Sequence, residues 1–448
     1  MRYSEFINNT LSNQNGIRWN YYQMQMDTDS ILDAENANGF IKEYFQTGGK
    51  SLPLLLDSSE AEEFIHRYFN AGNKKLALAF QYDALHQLPP ERATHTVSGF
   101  FLGLLIENCI NGVNTLAIES KNDFPFSYLW FLTYLYHDYG YCIAERKDLP
   151  NPFPTHAPIP EFPQATPNKI PIREYQALVQ IKRTLGISLS PFSQYGYFSQ
   201  ACRYTIDSPH QREHEILYTL TCKKNRLIGS PYLRLSNGTT IRRPRYSSTI
   251  ITRYLNYCIN VREKTDHGII GGLLFYDRML KNYMLAHVAQ SSGSDHILGL
   301  EDFYYQGKHF CMEQLKIFAY ISDCILSHNV FRQPPEARTS YETYLLNSLY
   351  LENFQPITYD ENPLLYILSV TDSLDPVKVY SRGNTPLGTK QIIEAINIVY
   401  TPGSRVLSFS SQSSDVDIAI LYSKAKDLEE WTSARCSALE NNRFKLTL

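Results

Sequence analysis

Residues 124–140 read FPFSYLWFLTYLYHDYG. The apolar and aromatic run is shorter than the roughly 20 residues needed to cross a bilayer, so it reads as a helix buried in a protein core. It ends on His137 and Asp138. A neighbouring His and Asp carry little information alone, and the rest of the chain decides what the pair means.

Upstream, THTVSGFFLGLLIENC (94–109) reads as a helix with His95 at its start and Val97, Phe101, Leu104 and Leu105 on one apolar face. Downstream, LLYILSVTDSLDP (364–376) places Asp372 near the end of an apolar helix that Pro376 closes. His95, His137, Asp138 and Asp372 thus offer two imidazoles and two carboxylates from three helices, a mixed N/O set that suits a divalent ion in a helical core. Two further histidines fit the pattern. His267 opens the helical stretch TDHGIIGGLLFYDRML (265–280), and His328 ends QLKIFAYISDCILSHN (314–329). A second ion would need such extra ligands, with Asp138 as the bridge between the two. A metal pair clamps both the attacking and the leaving oxygen of a phosphoryl displacement.

The order His95, His137-Asp138, Asp372 resembles the HD-domain superfamily of metal-dependent phosphohydrolases. The "HDYG" and "TDSLDP" wording is similar to that family's, and Asp266-His267-Gly268 is similar to the CRISPR-associated HD nucleases. The resemblance covers roughly residues 90–144 and 262–380. It implies His95, His137, Asp138 and Asp372 as the defining ligands, with His267 and His328 as the extra ligands of the two-metal branches. Two departures stand out. Tyr141 follows Gly140 where many members carry Lys, and no GYP follows the His-Asp pair.

The fold expected is mainly α: an HD-type helical bundle core over 91–375, a helical N-terminal region over 1–90, and a small α+β C-terminal subdomain over 376–448. A mixed α/β insertion, 149–261, interrupts the core. It opens with the proline-rich stretch from Leu149 to Pro171, which continues neither a helix nor a central strand. Asn237-Gly238 between β-favourable runs marks a hairpin within it. Helical patterning spans about Thr94–Ile143, Asp266–Ala289, Phe310–Val330 and Pro363–Leu374. In the tail, NIVYTPGSRVLSFSSQ and DVDIAILY read as strands and AKDLEEWTSARCSAL as a helix. In the N-terminal region Ser59 and Glu62 have the spacing of a helix-capping box.

The formal charge of −3 conceals an uneven distribution. Thr221–Lys264 holds ten basic residues against Glu263, with Tyr232, Tyr246, Tyr254 and Tyr257 among them. Cations for phosphates and rings for stacking make a surface for a nucleotide or single-stranded nucleic acid. Within it, Arg242, Arg243 and Arg245 are the candidate phosphate contacts, since guanidinium forks match phosphate oxygens; they also offer the cation that Tyr141 replaces. The acidic N-terminal region is the competing partner for that charge. The eight cysteines lie singly, without a CxxC pair, against a thiolate zinc site. No stretch reads as a spanning segment or secretion signal, so a cytoplasmic location is expected.

The chemistry implied is hydrolysis of a phosphate ester in a nucleotide or nucleic acid. It would use one or two divalent ions, with Mn, Fe, Mg, Ni, Co and Zn all compatible with these ligands. Asp138 is the bridging carboxylate. Asp266, beside His267, is expected either to orient that imidazole and take a proton or to cap a helix. Asp375 reads as a supporting residue or a solvated turn position. The alternative is a non-catalytic regulatory or nucleotide-binding protein that keeps the HD scaffold.

Overall fold

Helix α1 (Glu91–Asn111) carries Gly99 and Gly103 four residues apart, hence on one face. Helix α2 (Phe126–Tyr136) lays Tyr134 on the first and Trp130 on the second, so closely that a Cβ at either glycine would collide with the ring. The Trp130 indole N–H donates to the Phe100 carbonyl at 2.8 Å, which satisfies its one polar atom inside this contact.

These helices belong to a computed structural model. It describes residues 91–112, 117–118, 124–138, 140, 232–235, 238–242, 312–329, 342–346, 356–381, 389–411 and 413–448, with isolated positions elsewhere, among them Tyr3, Phe6 and parts of 253–275. The Leu149–Pro171 stretch and the Ser59–Glu62 capping pattern lie outside the described residues.

The chain separates into two units. The first comprises Met1–Leu135, Leu233–Arg242 and Gln355–Leu448; the second comprises Tyr136–Tyr232 and Arg243–Phe354. Residues 376–448 fall in the same unit as α1.

Within the first unit, the helical pattern expected over Thr94–Ile143 is interrupted. Gly112 takes φ of +66° and its N–H closes α1 on the Asn108 carbonyl at 2.8 Å. That is a glycine C-cap, where a residue with Cβ would be strained. A short antiparallel pair follows, β1 (Ala117–Ile118) with β2 (Phe124–Pro125). The hairpin β3 (Tyr232–Arg234) and β4 (Thr240–Arg242) turns at Gly238, whose φ is +83°, and Leu235 bridges to Ile118.

Helix α4 (Pro363–Leu374) starts at Asn362, whose side chain accepts from the Leu365 N–H, with proline at the first helical position. Nearly all of it is buried, against α1 and helix α7 (Ile418–Leu428). Helix α5 (Pro376–Ser381) follows at once and also meets α1. After α6 (Thr389–Ala395) comes an antiparallel sheet of order β5-β6-β8-β7, formed by Ile396–Tyr400, Val406–Ser411, Arg443–Thr447 and Arg435–Cys436. Phe409 and Phe444 pair across β6 and β8 with stacked rings 4.9 Å apart.

The sheet is tied to the end of α1. Carbonyls in a helix's last turn have no partner within the helix. Here the Pro402-Gly403 turn supplies donors: Gly403 N–H to Asn108 at 3.4 Å and Arg405 N–H to Cys109 at 3.1 Å.

The structure corrects the tail's secondary structure. DVDIAILY, expected as a strand, begins α7. Asp417 caps it by accepting from the Ala419 N–H at 2.9 Å, and Ile418, Leu421, Ala425 and Leu428 are buried at helical spacing. Beyond Glu430 the stretch expected as helix is not helical, and Arg435–Cys436 within it forms β7.

In the second unit, helix α3 is Met312–Ser327, and residues 267–269, 271–272 and 275 are helical. Gly272 lies against the Ser322 carbonyl and Leu326, with the Ser322 hydroxyl donating to the Gly272 carbonyl at 2.7 Å.

Candidate metal centre

The second unit gathers three side chains that each offer one ligand-capable atom. The chain leaves α2 through a turn at His137 and Asp138, and Gly140 packs against the His267 carbonyl and the Gly271 N–H. A side chain at Gly140 would force that turn away from His267. Asp266 is buried, and its Oδ1 accepts from the Ile269 N–H at 3.0 Å while the Tyr254 hydroxyl approaches Oδ2 at 3.5 Å. It thus has the geometry of a helix N-cap, which sets the direction in which His267 leaves the backbone.

Asp138, His267 and His328 each offer one ligand atom, all within 4.8 Å of one another. His267 Nε2 lies 3.3 Å from Asp138 Oδ1, and the His267 and His328 ring centroids are 5.2 Å apart. His137 adjoins the group, with its fully buried Nε2 3.3 Å from Asp138 Oδ1 and its ring 5.8 Å from His328. His328 Nδ1 is 2.5 Å from the Ile325 carbonyl oxygen. A carbonyl only accepts, so the neutral ring's proton is on Nδ1 and Nε2 presents its lone pair. Asn329, next in sequence, places its Nδ2 3.0 Å from Nε2 of both His267 and His328.

A carboxylate and imidazoles, one with its tautomer fixed by a backbone carbonyl, fit a divalent ion of the borderline class.

His95, Asp372 and Asp375 lie in the first unit. His95 is buried, with Nδ1 2.5 Å from Asp375 Oδ2 and Nε2 3.4 Å from Asp372 Oδ1. The Tyr134 hydroxyl lies 3.2 Å from Nε2. Asp375 is fully buried and also receives the Ser98 hydroxyl and, at 3.1 Å, the Lys378 N–H. Tyr3 completes the network by donating to the Ser98 carbonyl. Burial disfavours the charged His95 ring, but the hydrogen bonds to Asp372 and Asp375 outweigh it, so its pKa stands above the ordinary value. Asp372 itself is paired with the Lys378 ammonium.

Sequence reasoning missed Lys378 and Asn329. Asp375, expected as a supporting residue or a solvated turn position, takes the first role: it is fully buried and holds His95. Lys378 lies six positions after Asp372, in the first turn of α5, where the sequence was read only as a helix closed by Pro376. Asn329 had no signal beyond adjacency to His328. Of the expected phosphate contacts, Arg242 ends β4, whereas Arg243 and Arg245 lie outside the described residues. Among the described residues, no helix is long and apolar enough to cross a membrane.

Neither a family model, nor a curated protein, nor a solved structure matches the chain.

Proposed function

We propose that this chain is a divalent-metal-dependent phosphohydrolase or phosphodiesterase of the HD type. The observation that carries the reading is the Asp138, His267 and His328 cluster, three ligand-capable atoms converging from separate segments. A divalent ion held there supplies Lewis acidity and lowers the pKa of water towards neutrality. Asp138 contributes negative charge that anchors the ion. His328 is held in a ligating tautomer, and the glycines around His267 let the segments close on the site. His95, His137 and Asp372 enter as further ligands through the family resemblance. An HD-type, mainly helical fold is part of the same proposal.

A nucleotide or single-stranded nucleic acid is the proposed substrate, supported by the basic, tyrosine-containing segment from Thr221 to Lys264. Salt separates the two classes. A polymer substrate gives binding that falls steeply with ionic strength, because each neutralised phosphate releases counterions.

The second reading, a non-catalytic protein retaining the scaffold, is favoured by one contact: Lys378 is paired with Asp372, a carboxylate the sequence assigns to metal. Hydrolysis of bis-p-nitrophenyl phosphate separates the readings. Metal-stimulated turnover that Asp138→Ala lowers at least ~100-fold supports the enzyme. Wild-type turnover no better than that of Asp138→Ala refutes it.

A further inference from the structure

Asn329 is placed as a ligand would be. Its side-chain Nδ2 lies 3.0 Å from His267 Nε2 and 3.0 Å from His328 Nε2. Adjacent ligands on an octahedral ion with bonds of about 2.1 Å are about 3.0 Å apart. Around a tetrahedral ion with similar bonds they are about 3.4 Å apart. The amide of Asn329 therefore stands at ligand-to-ligand distance from two of the three residues in the cluster, and the third, Asp138 Oδ1, is 3.3 Å from His267 Nε2.

The donor pattern explains why nitrogen faces the imidazoles here. His328 Nε2 carries a lone pair, because its Nδ1–H is given to the Ile325 carbonyl. Only a donor satisfies that lone pair, and an amide NH₂ is one. A cation would satisfy the same lone pair, and then an amide N–H pointing at the cation is repelled while an amide oxygen is attracted. The amide's oxygen and nitrogen exchange positions by rotation about its terminal torsion, which is broad and roughly two-fold.

We propose that Asn329 is a further metal ligand, through Oδ1, of the centre formed by Asp138, His267 and His328. Its amide turns over on cation binding, from NH₂ towards the imidazoles to oxygen towards the ion. This rests on the metal-centre reading above and extends its ligand set with a neutral oxygen. A neutral ligand adds coordination without adding charge, so the centre keeps more net positive charge for a phosphate than a second carboxylate would leave.

The test is titration of the full chain, stripped of metal, with Mn(II), reading the EPR signal of the free ion. Cobalt(II) absorption serves as the second probe. Asn329→Ala is expected to bind Mn(II) about 10-fold more weakly than wild type, a loss of the size seen for residues that support a metal site. Asn329→Asp, of the same shape but with oxygens only, is expected to bind at least as tightly as wild type. An Asn329→Ala variant that binds as well as wild type, or an Asn329→Asp variant that binds worse, overturns the proposal while the metal centre stands. A wild-type chain that binds neither ion overturns the centre and this ligand together.

Discussion

His328 gives its Nδ1 proton to the carbonyl of Ile325, 2.5 Å away and one helical turn back on α3. Carbonyls in a helix's last turn lack a partner within the helix, and the histidine that uses this one keeps its lone pair on Nε2, 3.0 Å from Asn329 Nδ2.

The tautomer is directly observable. In metal-free protein above pH 8, nitrogen-15 spectra of histidine-labelled chain are expected to show His328 as the Nδ1–H form, assigned by its loss in His328→Gln. A resonance of the Nε2–H form would remove the argument that this ring is preset to ligate.

Asp375 is fully buried and accepts from Ser98 and His95. Asp375→Ala leaves both without their acceptor, and the expected loss is about 2–4 kcal/mol by urea denaturation. A shift under about 0.5 kcal/mol would mean the network is not structural.

Gly103 has no room for a side chain beneath Trp130. Gly103→Leu must separate α1 from α2, at an expected cost of about 1–3 kcal/mol or more. Thermal melting of the variant measures it, and an unchanged midpoint contradicts this packing.

Glu429 accepts from the Cys436 N–H at 2.5 Å and from Lys426 at 3.0 Å. Burial pushes its pKa up, but these partners outweigh it and hold the carboxyl below its usual value. With the folded pKa lowered, its stabilisation is present above the unfolded value and is lost as pH falls through the folded one. Glu429→Gln is therefore expected to cost about 1 kcal/mol at pH 7. The difference from wild type should shrink in acid, below about pH 4.5. A difference independent of pH would show that the charge is not involved.

Burial pushes the Cys109 thiol up to about 11 and the Cys436 thiol up to about 12. The thiolate is the nucleophile, so at pH 8 both should alkylate at least ~100-fold more slowly than an exposed cysteine. Peptide mapping after iodoacetamide reads each site separately; rapid labelling of Cys109 in native protein would contradict its placement.

The legible parts of this sequence were those where one local signal had no competitor. Proline at 363 and 376 bracketed α4, and Asn237-Gly238 marked the β3–β4 turn. IAILY was misread because a short apolar run has no period of its own. The helix there is decided by Asp417 and by burial at Leu421, Ala425 and Leu428, which depends on packing against α4 and the sheet. The α1–α2 break was missed because apolar residues continue on both sides of Gly112. In the site, the clustering histidines and aspartates, and a supporting role for Asp375, were named from the sequence. Lys378 and Asn329 were not, because their roles come from partners that only folding brings near.

The claim that Asp138, His267 and His328 hold a divalent ion is tested most directly by metal analysis of the purified full chain after equilibration with Mn(II), Zn(II) or Co(II) and removal of the unbound ion. Wild type is expected to retain at least one ion per chain, and Asp138→Ala and His328→Ala to retain well under half as much at the same protein concentration. A wild-type chain that retains no divalent ion, or variants that retain as much as wild type, would contradict it.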